Sequence, residues 1–426
     1  MKKIFKSLVV FVLTRQVRKL RKKNSFRVIA VVGSIGKTST KLAIAQTLEP
    51  NLRVRYQRGN YNDLVTVPLI FFGQNTPSLM NPFAWFRVFR NNHKQIKDFE
   101  YDVVVLEIGT DGPGQIAKFS RYGQIDVAVI TAITPEHMEY FSDIQAVANE
   151  ELAITQFSSQ IIYNSDLVAT EYIQTLPDGA ISYAMHDAES QFHLANIFHS
   201  ANGLEADIKN SGEVFLHIAH EVVSEVQLYS VLASVVVGNI VGLKKTQILN
   251  GITNIKPVSG RLRRLRGVNN SLIIDDTYNS SPEAVKAGLG MLYQLESPQK
   301  IAVLGNMNEL GSISETAHKE VGDLCDPKQL SLIITIGQDA NNFLATSAEA
   351  NGCTVKKFED PYSIGEFLQT KIEPNAIIFA KGSQNGVFLE EAIKKVLADP
   401  EDANKLVRQS DHWLKIKEMQ FLGASK

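Results

Sequence analysis

Residues 28–40 read VIAVVGSIGKTST, an apolar run that meets a glycine turn and continues into a helix-compatible stretch up to about Leu48. The run predicts a buried strand, and the turn has the short spacing G-x-x-G-K-T. Glycines allow backbone N–H groups to close on phosphate oxygens, a lysine neutralises their charge, and a threonine hydroxyl can bind Mg²⁺. The pattern therefore favours a nucleotide-binding loop over an ordinary turn. The residues expected around the phosphates are Gly33, Ser34, Ile35, Gly36, Lys37, Thr38 and Ser39.

The size and composition of the chain indicate a multidomain globular protein. Its 426 residues exceed what one core usually holds, so two or three domains are expected. Hydrophobic residues make up 44% and charged residues 21%, which is typical of soluble proteins. The two cysteines, Cys325 and Cys353, exclude a disulfide scaffold and lack the companion spacing of a zinc site. These features predict a cytoplasmic protein.

The N-terminal segment has an uneven charge pattern. Residues 1–27 contain ten basic and no acidic residues, around an apolar block shorter than the roughly 20 residues needed to span a bilayer. Basic residues rather than a small-residue cleavage site follow that block, which argues against a signal peptide. Two interpretations stay open: the segment contacts anionic lipid at the inner membrane surface, or it packs its apolar side on the rest of the protein. Nucleic acid is not an expected partner, because few aromatic residues are interleaved with the basic ones.

Apolar runs alternate with helix-like stretches over most of the chain. Several runs are continuous rather than alternating, as expected for strands buried on both faces of a parallel sheet. Helices are predicted between them, for example at 282–295 and 315–324. The pattern predicts an α/β protein. The predicted strands are 28–32, 103–108, 127–131, 161–164, 272–275, 301–304, 332–336 and 376–380.

The stretch 183–222 has a different pattern. Short alternating pieces, broken at Asn202-Gly203 and Ser211-Gly212, predict an antiparallel insertion with hairpin turns. A helix is predicted to follow at 226–237. The segment after it, 254–266, is rich in arginine, contains proline and glycine, and is the expected domain junction.

Polar clusters follow four of the predicted strands, where open α/β sheets bind ligands. Glu107 ends the run 103–108, where a carboxylate beside a phosphate loop can bind Mg²⁺; the alternative is one exposed glutamate. The loop 134–139 reads TPEHME. Its His137 and Glu139 are candidate metal or substrate ligands, although a lone loop histidine is more often neither.

The other two clusters lie in the C-terminal part. Residues 275–282 read DDTYNSSP, in which Asp276 and Asn279 suit ribose or amine contacts; the alternative is a helix N-cap with proline in the first turn. Residues 381–383 read KGS after a predicted strand. Lys381 beside a glycine suggests an anion site, with a simple turn as the alternative.

Together these motifs resemble the ATP-dependent Mur ligases, most closely the MurF branch that adds D-Ala-D-Ala to UDP-MurNAc-tripeptide. The resemblance implies a central P-loop domain with a parallel sheet at 28–258 and a C-terminal Rossmann-like α/β domain at 259–426, behind the basic segment 1–27. The matching motifs are collinear over about 28–400. They are 33–38, 59–62 with 67–68, 106–109, 131–137, 164–166, 260–261, 275–282, 304–311 with His318, and 381–383.

The resemblance also implies the chemistry and the residues that perform it. ATP phosphorylates a substrate carboxylate, an amine attacks the acyl phosphate, and an amide, ADP and phosphate are released. Lys37 is implied to hold the β- and γ-phosphates, Thr38 and Glu107 one Mg²⁺, and His137 a second Mg²⁺. The nucleotide contacts implied are Gln227, Arg261, Asp276, Tyr278 and Asn279. Lys381 and Ser383 are implied near the incoming amine, and Asn60, Asn62 and Thr66 near the acyl substrate.

Three departures from the family pattern bear on function. Many members carry a carbamylated lysine as an anionic metal ligand, whereas residues 147–152 read VANEEL here. We hypothesise that Glu151 (or Glu150) supplies that charge directly; the alternative is an exposed helix glutamate. The helix start near adenine reads SEVQ at 224–227, so Gln227 is expected to replace an asparagine. The N-terminal uridine-nucleotide domain of MurF has no counterpart before residue 28.

Three functions are therefore weighed. The first is a MurF-like ligase that joins a UDP-MurNAc-peptide to D-Ala-D-Ala with ATP and Mg²⁺ in peptidoglycan precursor synthesis. The second is a ligase of the same fold that acts on a lipid-linked precursor or on a polyglutamate or cyanophycin-like acceptor. The third is a degenerate ATP-binding partner, against which the retained Lys37, Thr38, Glu107 and His137 argue.

Overall fold

The protein is described by a computed structural model over residues 2–57, 61–200, 203–220, 225–256, 258–383 and 385–422. The chain divides into two compact units, Met1–Lys256 and Pro257–Lys426. Each unit is built around one β-sheet with helices along it. The boundary between the units falls inside the segment 254–266.

In the described part of the first unit, nine strands form one sheet in the order β2-β3-β1-β4-β5-β6-β7-β8-β9. Neighbouring strands are parallel from β2 to β7, and the last two pairings are antiparallel. The strands are β1 Arg27–Val32, β2 Val54–Arg55, β3 Val103–Glu107, β4 Ile125–Ile130, β5 Ser158–Asn164, β6 Ile181–Ala184, β7 Phe192–Ser200, β8 Gly203–Asn210 and β9 Glu213–His220.

Helices cover both faces of this sheet, which explains why its central strands read as continuous apolar runs. Along β1 the side chains alternate between two apolar clusters: Ile29 and Val31 join one, and Val28, Ala30 and Val32 join the other. The helices are α1 Lys2–Lys23, α2 Lys37–Leu48, α3 Val67–Ile70, α4 Pro82–Gln95, α5 Ile144–Leu152, α6 Thr170–Ile173, α7 Glu225–Ile240 and α8 Lys245–Ile252, with 3₁₀ turns at Ile116–Tyr122 and Ala153–Phe157.

The alternating segment after residue 183 pairs antiparallel, as predicted, and its strands extend the sheet of the first unit. β7 pairs in parallel with β6, and β8 and β9 then add as a meander at the edge. The predicted turn at Ser211-Gly212 is present, with φ of 50° and 87° as a two-residue hairpin turn requires. Asn202, in the other predicted turn, lies outside the described residues.

In the described part of the second unit, six strands form a sheet in the order β10-β11-β15-β12-β13-β14. All pairings are parallel except that of β10 with β11 at one edge. The strands are β10 Arg263–Arg266, β11 Leu272–Asp276, β12 Lys300–Gly305, β13 Leu332–Ile336, β14 Val355–Phe358 and β15 Ile377–Lys381. Apolar clusters on both faces make this a doubly wound α/β unit.

The helices of the second unit follow its parallel strands in alternation. The predicted helix 282–295 is present almost unchanged, and so is 315–324. The helices are α9 Pro282–Gln294, α10 Ser314–Asp323, α11 Ala345–Ala350, α12 Pro361–Gln369, α13 Glu390–Lys394 and α14 Asp411–Lys417, with short helical turns at Val268–Asn270, Gly311–Ile313, Ala340–Leu344, Pro400–Lys405 and Glu418–Leu422.

The basic N-terminal segment forms α1, which packs its inner side on the rest of the unit. Val9, Leu13, Val17 and Leu20 are fully buried, in clusters shared with α3, α4 and the sheet. For the inner side of α1, the second of the two interpretations that the sequence left open is therefore confirmed. Within the described residues, no helix has both the length and the apolar character that crossing a membrane demands.

Candidate active site

The loop between β1 and α2 is held against the end of β4. Ser34 donates its N–H to the carbonyl of Ala132 at 2.9 Å, and the Thr131 hydroxyl donates to the carbonyl of Ile35 at 2.6 Å. Gly33 has φ of 119°, and a Cβ there would lie 2.8 Å from the Ala132 nitrogen, so only glycine fits. The loop therefore enters the twelve-residue helix α2 in a fixed shape, with the helix N-terminus available to an anion.

Lys37, the first residue of α2, folds back over this loop. Its Nζ donates to the carbonyl of Gly33 and lies 3.3 Å from both carboxylate oxygens of Glu136, in the loop after β4. Burial by itself lowers the pKa of Lys37, but the carboxylates of Glu136, Glu151 and Glu107 raise it above its ordinary value. The ammonium group is thus charged and centred among acidic groups, where it can meet a phosphate.

The next residue of α2, Thr38, contacts the carboxylate predicted at the end of β3. Its Oγ1 lies 3.0 Å from each oxygen of Glu107, and Lys41 Nζ lies 3.0 Å from Oε2 of the same group. Glu107 is only 3% exposed, so the alternative of an exposed glutamate is wrong. Burial raises the pKa of Glu107, but Lys41, Lys37 and Thr38 together hold it below its ordinary value. The carboxylate is therefore ionised.

Lys41 is a site residue that the sequence interpretation missed. Its side chain is 1% exposed and pairs with Glu107, whose side chain is 4% exposed. The available signal was its position four residues after Lys37, which places both lysines on one side of α2. Glu136 was missed in the same way, although it adjoins His137 in the quoted motif.

The donor set at Thr38 and Glu107 fits a magnesium ion. A hydroxyl and a carboxylate are hard oxygen ligands, and Mg²⁺ usually takes one or two such protein ligands and completes its shell with water and phosphate. Among the described residues, no three or more His, Cys, Asp or Glu side chains are grouped so that they could hold a metal ion. Glu107, His137 and Glu151 therefore do not converge on one point, and the resemblance itself implies two metal positions.

The two adjacent glutamates of α5 have different partners. Glu150 accepts backbone N–H groups of Gly114, Gln115 (2.7 Å) and Ile116 (2.6 Å), so it fixes the start of the 3₁₀ turn. Glu151 accepts the N–H of Gly33 at 2.7 Å. Both side chains are buried, so the alternative of an exposed helix glutamate is wrong. Burial raises the pKa of Glu151 to about 8, although the Lys37 ammonium opposes that rise.

His137 lies directly after Glu136 in the loop that follows β4. Its backbone adopts φ of 50°, in the left-handed region, and its carbonyl accepts the N–H of Tyr140 at 2.8 Å. A non-glycine residue in this region is uncommon and is favoured at turns. The turn therefore fixes the direction of the chain at the predicted metal ligand.

The residues predicted for the acyl substrate are partly engaged in local structure. Asn60 lies outside the described residues. The carbonyl of Asn62 accepts the N–H of Gly109 at 3.1 Å, so this loop packs against the end of β3. The Thr66 hydroxyl lies 3.0 Å from Asp63 Oδ1, which also accepts the N–H of Thr66 at 2.8 Å. Thr66 therefore stabilises the turn that begins α3.

Gln227 lies in the first turn of α7, a helix that packs along α2. Thr40 Oγ1 of α2 lies 3.1 Å from Ser230 Oγ of α7. Further along both helices, Thr47 Oγ1 donates to Ser234 Oγ at 3.0 Å. Since both residue numbers rise together, the helices run in the same direction. The half-buried Gln227 therefore lies at the phosphate-loop end of the helix pair.

In the second unit, the predicted residues meet at the ends of the adjacent strands β11 and β15. Lys381 Nζ lies 2.8 Å from Asp276 Oδ2 and donates to the carbonyl of Asn279 at 2.6 Å. Burial, with a smaller contribution from Arg261, lowers the pKa of Lys381 against the pull of Asp276. The side chain of Ser383 is fully buried, and its Oγ has no hydrogen-bond partner among the described residues.

The end of β11 and the loop after it contact the segment just before β10. Asp275 Oδ2 accepts the N–H of Gly260 at 3.0 Å, and the Arg261 guanidinium lies 4.4 Å from the centre of the Tyr278 ring. Proline follows Ser281 at the start of α9, as the N-cap alternative predicted, but Ser281 makes no side-chain cap bond. The motif thus forms both a helix start and a cluster of polar contacts.

A buried ionic network behind this loop was not predicted. Arg408 makes two 2.7 Å bonds to the carboxylate of Glu390 and donates to the carbonyls of Thr277 (2.7 Å) and Tyr278 (3.0 Å). Lys417 Nζ lies 2.8 Å from Glu390 on the same carboxylate. The sequence interpretation missed it because the charged members, Glu390, Arg408 and Lys417, lie outside the quoted motifs, although two of the carbonyl partners lie inside one.

Each unit thus brings most of its predicted residues to the carboxyl ends of neighbouring strands. In the first unit these are the phosphate loop, Glu107, His137 and Glu151, near the ends of β1, β3 and β4. In the second unit they are Arg261, Asp276, Tyr278, Asn279, Lys381 and Ser383, near the ends of β11 and β15. This is where open α/β sheets bind ligands.

Comparison with known proteins matches both units to one protein family. Residues 31–238 match the family Mur ligase middle domain, and residues 260–384 match the family Mur ligase, glutamate ligase domain. The UDP-N-acetylmuramoyl-tripeptide–D-alanyl-D-alanine ligase of Bacillus subtilis is 27% identical over 388 residues, which cover 88% of this chain and 76% of that protein. The protein of the same name from Synechocystis is 26% identical over 385 residues, covering 89% and 76%.

A solved structure is similar over nearly the whole chain. The crystal structure of MurF ligase from Thermotoga maritima in complex with ADP aligns with a TM-score of 0.74 at 22% identity, covering 92% of this chain and 84% of that one. This similarity supports the fold, and the two family matches together cover most of the chain. The chain belongs to the Mur ligase family, whose members are ATP-dependent, ADP-forming ligases.

Proposed function

We propose that this ligase joins the carboxylate of a UDP-MurNAc-peptide to the amine of D-Ala-D-Ala in peptidoglycan precursor synthesis. The observation that carries the proposal is the contact of Thr38 with Glu107 beside the charged Lys37, on a loop built for nucleotide phosphates. The choice of substrates rests on the relatives named above, which cover about the same part of the chain.

The proposed reaction has two steps. The γ-phosphoryl group of ATP moves to a carboxylate oxygen, which gives an acyl phosphate and ADP. The amine nitrogen then attacks the carbonyl carbon, loses a proton, and expels inorganic phosphate as the amide bond forms. Lys37 and the N-terminal amides of α2 stabilise the phosphate charge in the first step. Thr38 and Glu107 would hold Mg²⁺, which neutralises phosphate charge when bound.

The remaining roles are assigned by the same proposal. His137 would help to hold a second Mg²⁺, and the buried Glu151 would place behind the loop a carboxyl group that ionises when a cation binds beside it. Asn60, Asn62 and Thr66 belong to the acyl-substrate side, and Lys381 and Ser383 to the amine side. The proposed nucleotide contacts are Gln227, Arg261, Asp276, Tyr278 and Asn279.

Glu151 is proposed to replace the carbamylated lysine of other family members. It is fully buried and accepts the N–H of Gly33, and in its ionised form it raises the pKa of Lys37. A carbamylated lysine supplies a carboxylate at the end of a long side chain, whereas glutamate carries one without added CO₂. Glu150 is a poor candidate, because its carboxylate is committed to three backbone N–H groups.

We also propose a cytoplasmic location, with peripheral contact at the inner membrane surface. Cys325 and Cys353 are free, buried thiols, and Cys353 Sγ lies 3.4 Å from the carbonyl of Cys325. Two neighbouring thiols that stay unpaired suit a reducing compartment.

The test is an ADP-release assay with purified full-length protein, UDP-MurNAc-tripeptide and a panel of amines. D-Ala-D-Ala should support turnover, and Lys37→Ala should abolish it while the protein stays folded. Turnover with glutamate or ammonia instead would favour another acceptor class, and turnover only with a lipid-linked acyl donor would replace the soluble substrate. A protein that binds ATP but turns over with no amine would be a degenerate partner and would contradict the proposal.

A further inference from the structure

The outer sides of α1 and α4 carry exposed apolar side chains that the fold does not use. Large apolar side chains are common singly on protein surfaces, but a contiguous group marks an interaction site. Other exposed apolar side chains of the described residues lie on separate elements. The six on these helices and the turn before α4 are between 55% and 86% exposed: Ile4, Leu8, Phe11, Met80, Phe83 and Phe86.

The two helices lie side by side and run in the same direction. Gln16 donates to the carbonyl of Phe89 at 2.8 Å and accepts from Asn92 at 2.9 Å. Two turns further along, Asn24 donates to the carbonyl of Ile96 at 3.1 Å. Because the partner numbers rise together, the exposed apolar side chains gather at the N-terminal ends of both helices.

The opposite sides of both helices already supply the core. Val9 and Leu13 of α1 pack with Trp85 and Val88 of α4 in one buried cluster. The helical repeat places the exposed apolar positions on the far side of each helix from these residues. The exposed group is therefore additional to what folding requires.

The rest of each outer face is basic. No acidic residue occurs in residues 1–48 or in residues 64–97, which contain the two helices. Lys6 is exposed within the apolar end of α1, and the exposed basic side chains beyond that end are Arg15, Arg18, Lys19, Lys22 and Lys23 on α1 and Arg87, Arg90 and Lys94 on α4. The α1–α4 surface, defined by these side chains and the six apolar ones, is thus apolar at one end and positive along the rest.

We propose that the α1–α4 surface docks the protein on a bilayer that contains anionic lipid. The apolar end would enter the boundary between headgroups and acyl chains, and the basic stretch would lie over the negative headgroups. A second copy of the chain is a poorer occupant, because two surfaces of the same charge would face each other. The surface does not depend on the ligase chemistry, so this proposal and the proposed function can fail separately.

The experiment is co-sedimentation of the full-length protein with vesicles. Binding is expected to phosphatidylcholine vesicles with about 30 mol % phosphatidylglycerol, and not to phosphatidylcholine alone. Raising the salt from about 0.1 M to about 0.5 M should weaken it, because the headgroup attraction is screened. Phe83→Ser with Phe86→Ser should lower the partition coefficient at least about tenfold. Arg87→Glu with Lys94→Glu should lower it roughly fivefold or more per position.

The matched controls are Leu324→Ser and Lys356→Glu, exposed positions of the same types in the second unit. They should bind as the unaltered protein does, and all variants should keep its melting temperature. Absence of binding to the anionic vesicles would overturn the proposal, and so would equal binding by both surface variants. A dimer in solution that Phe83→Ser with Phe86→Ser dissociates would assign the surface to self-association instead.

Discussion

Thr38 Oγ1 lies 3.0 Å from both carboxylate oxygens of Glu107, across the gap between the first turn of α2 and the end of β3. The contact joins two residues 69 positions apart in the chain. It exists because β3 and β1 are parallel neighbours, with Val31 paired to Glu107, so their carboxyl ends open at the same edge. The hydroxyl and the carboxylate are thus close enough to bind the same cation.

Replacement of Thr38 by alanine should impair magnesium use. We expect turnover to fall about 10- to 100-fold, the range seen when a partner around a metal is lost, and the Mg²⁺ concentration for half-maximal activity to rise. Thr38→Ser keeps the hydroxyl and should stay near the original activity. The measurement is ADP release across a Mg²⁺ titration. Equal Mg²⁺ dependence in Thr38→Ala would remove Thr38 from the metal site.

The adjacent glutamates of α5 offer a matched pair of substitutions. Glu151→Gln removes the ionisable carboxyl group beside Lys37, which a bound cation would hold in its charged form, and should lower turnover about tenfold or more, with little effect on folding. Glu150→Gln leaves backbone N–H groups with a weaker acceptor and should cost about 1–3 kcal/mol of stability, with activity retained in the folded protein. Steady-state kinetics and thermal unfolding separate the two effects.

Bicarbonate supplies a second test of Glu151. If the glutamate replaces a carbamylated lysine, removal or addition of bicarbonate should leave the activity of the unaltered protein unchanged. Glu151→Lys would recreate the residue type of other family members and should regain part of the lost activity only when bicarbonate is present. Full activity of Glu151→Gln would contradict the hypothesis.

Local patterns explain why the phosphate loop and the central strands could be predicted. The sequence around Gly33 contains the signals for a strand, a turn and a helix start within a few residues. Glu107 lies beside this loop because β3 is the parallel neighbour of β1, so both strands end at the same edge of the sheet. The short strands β2, β6, β10 and β14 have two to four residues, too few for a periodic signal. Their pairing depends on neighbours that only the tertiary fold supplies.

Long-range ionic partners could not be predicted for a different reason. Glu390 and Arg408 become a pair because α13 and the segment before α14 fold against the loop after β11. Nothing in the types or spacing of these residues distinguishes them from solvated surface charges. The sequence also could not identify the residues that α1 packs against. It left open whether this segment packs on the rest of the protein or contacts lipid.

His318 should make the stability of the second unit depend on pH. Its Nε2 accepts the N–H of Met307 at 3.0 Å, and its Nδ1 donates to the carbonyl of Ser314 at 2.8 Å, so the ring is held neutral. Burial lowers the pKa of His318 below its ordinary value of 6.5. The folded state therefore binds this proton less readily than the unfolded state, and stability is lost as pH falls below about 6.5.

The comparison of pH 7.5 with pH 5.5 isolates this effect when made against His318→Asn, which cannot titrate. The variant should be less stable at the higher pH, because it loses the Met307 contact, and its deficit should shrink at the lower pH. Urea unfolding at both values measures the difference. A deficit that is constant or grows as the pH falls would show that His318 does not act as a buried neutral base.

Arg408 should affect both stability and nucleotide binding. Glu390 is fully buried, so Arg408→Met leaves part of a buried carboxylate charge uncompensated, which typically costs about 3–5 kcal/mol. The same change frees the carbonyls of Thr277 and Tyr278, which Arg408 holds at 2.7 and 3.0 Å. Because this loop carries proposed nucleotide contacts, we expect the KM for ATP to rise more than kcat falls.

Arg264→Met, an exposed position on β10, is the matched control and should change neither stability nor KM appreciably. A destabilised Arg408→Met protein with an unchanged KM for ATP, assayed below its melting temperature, would confine Arg408 to a role in folding.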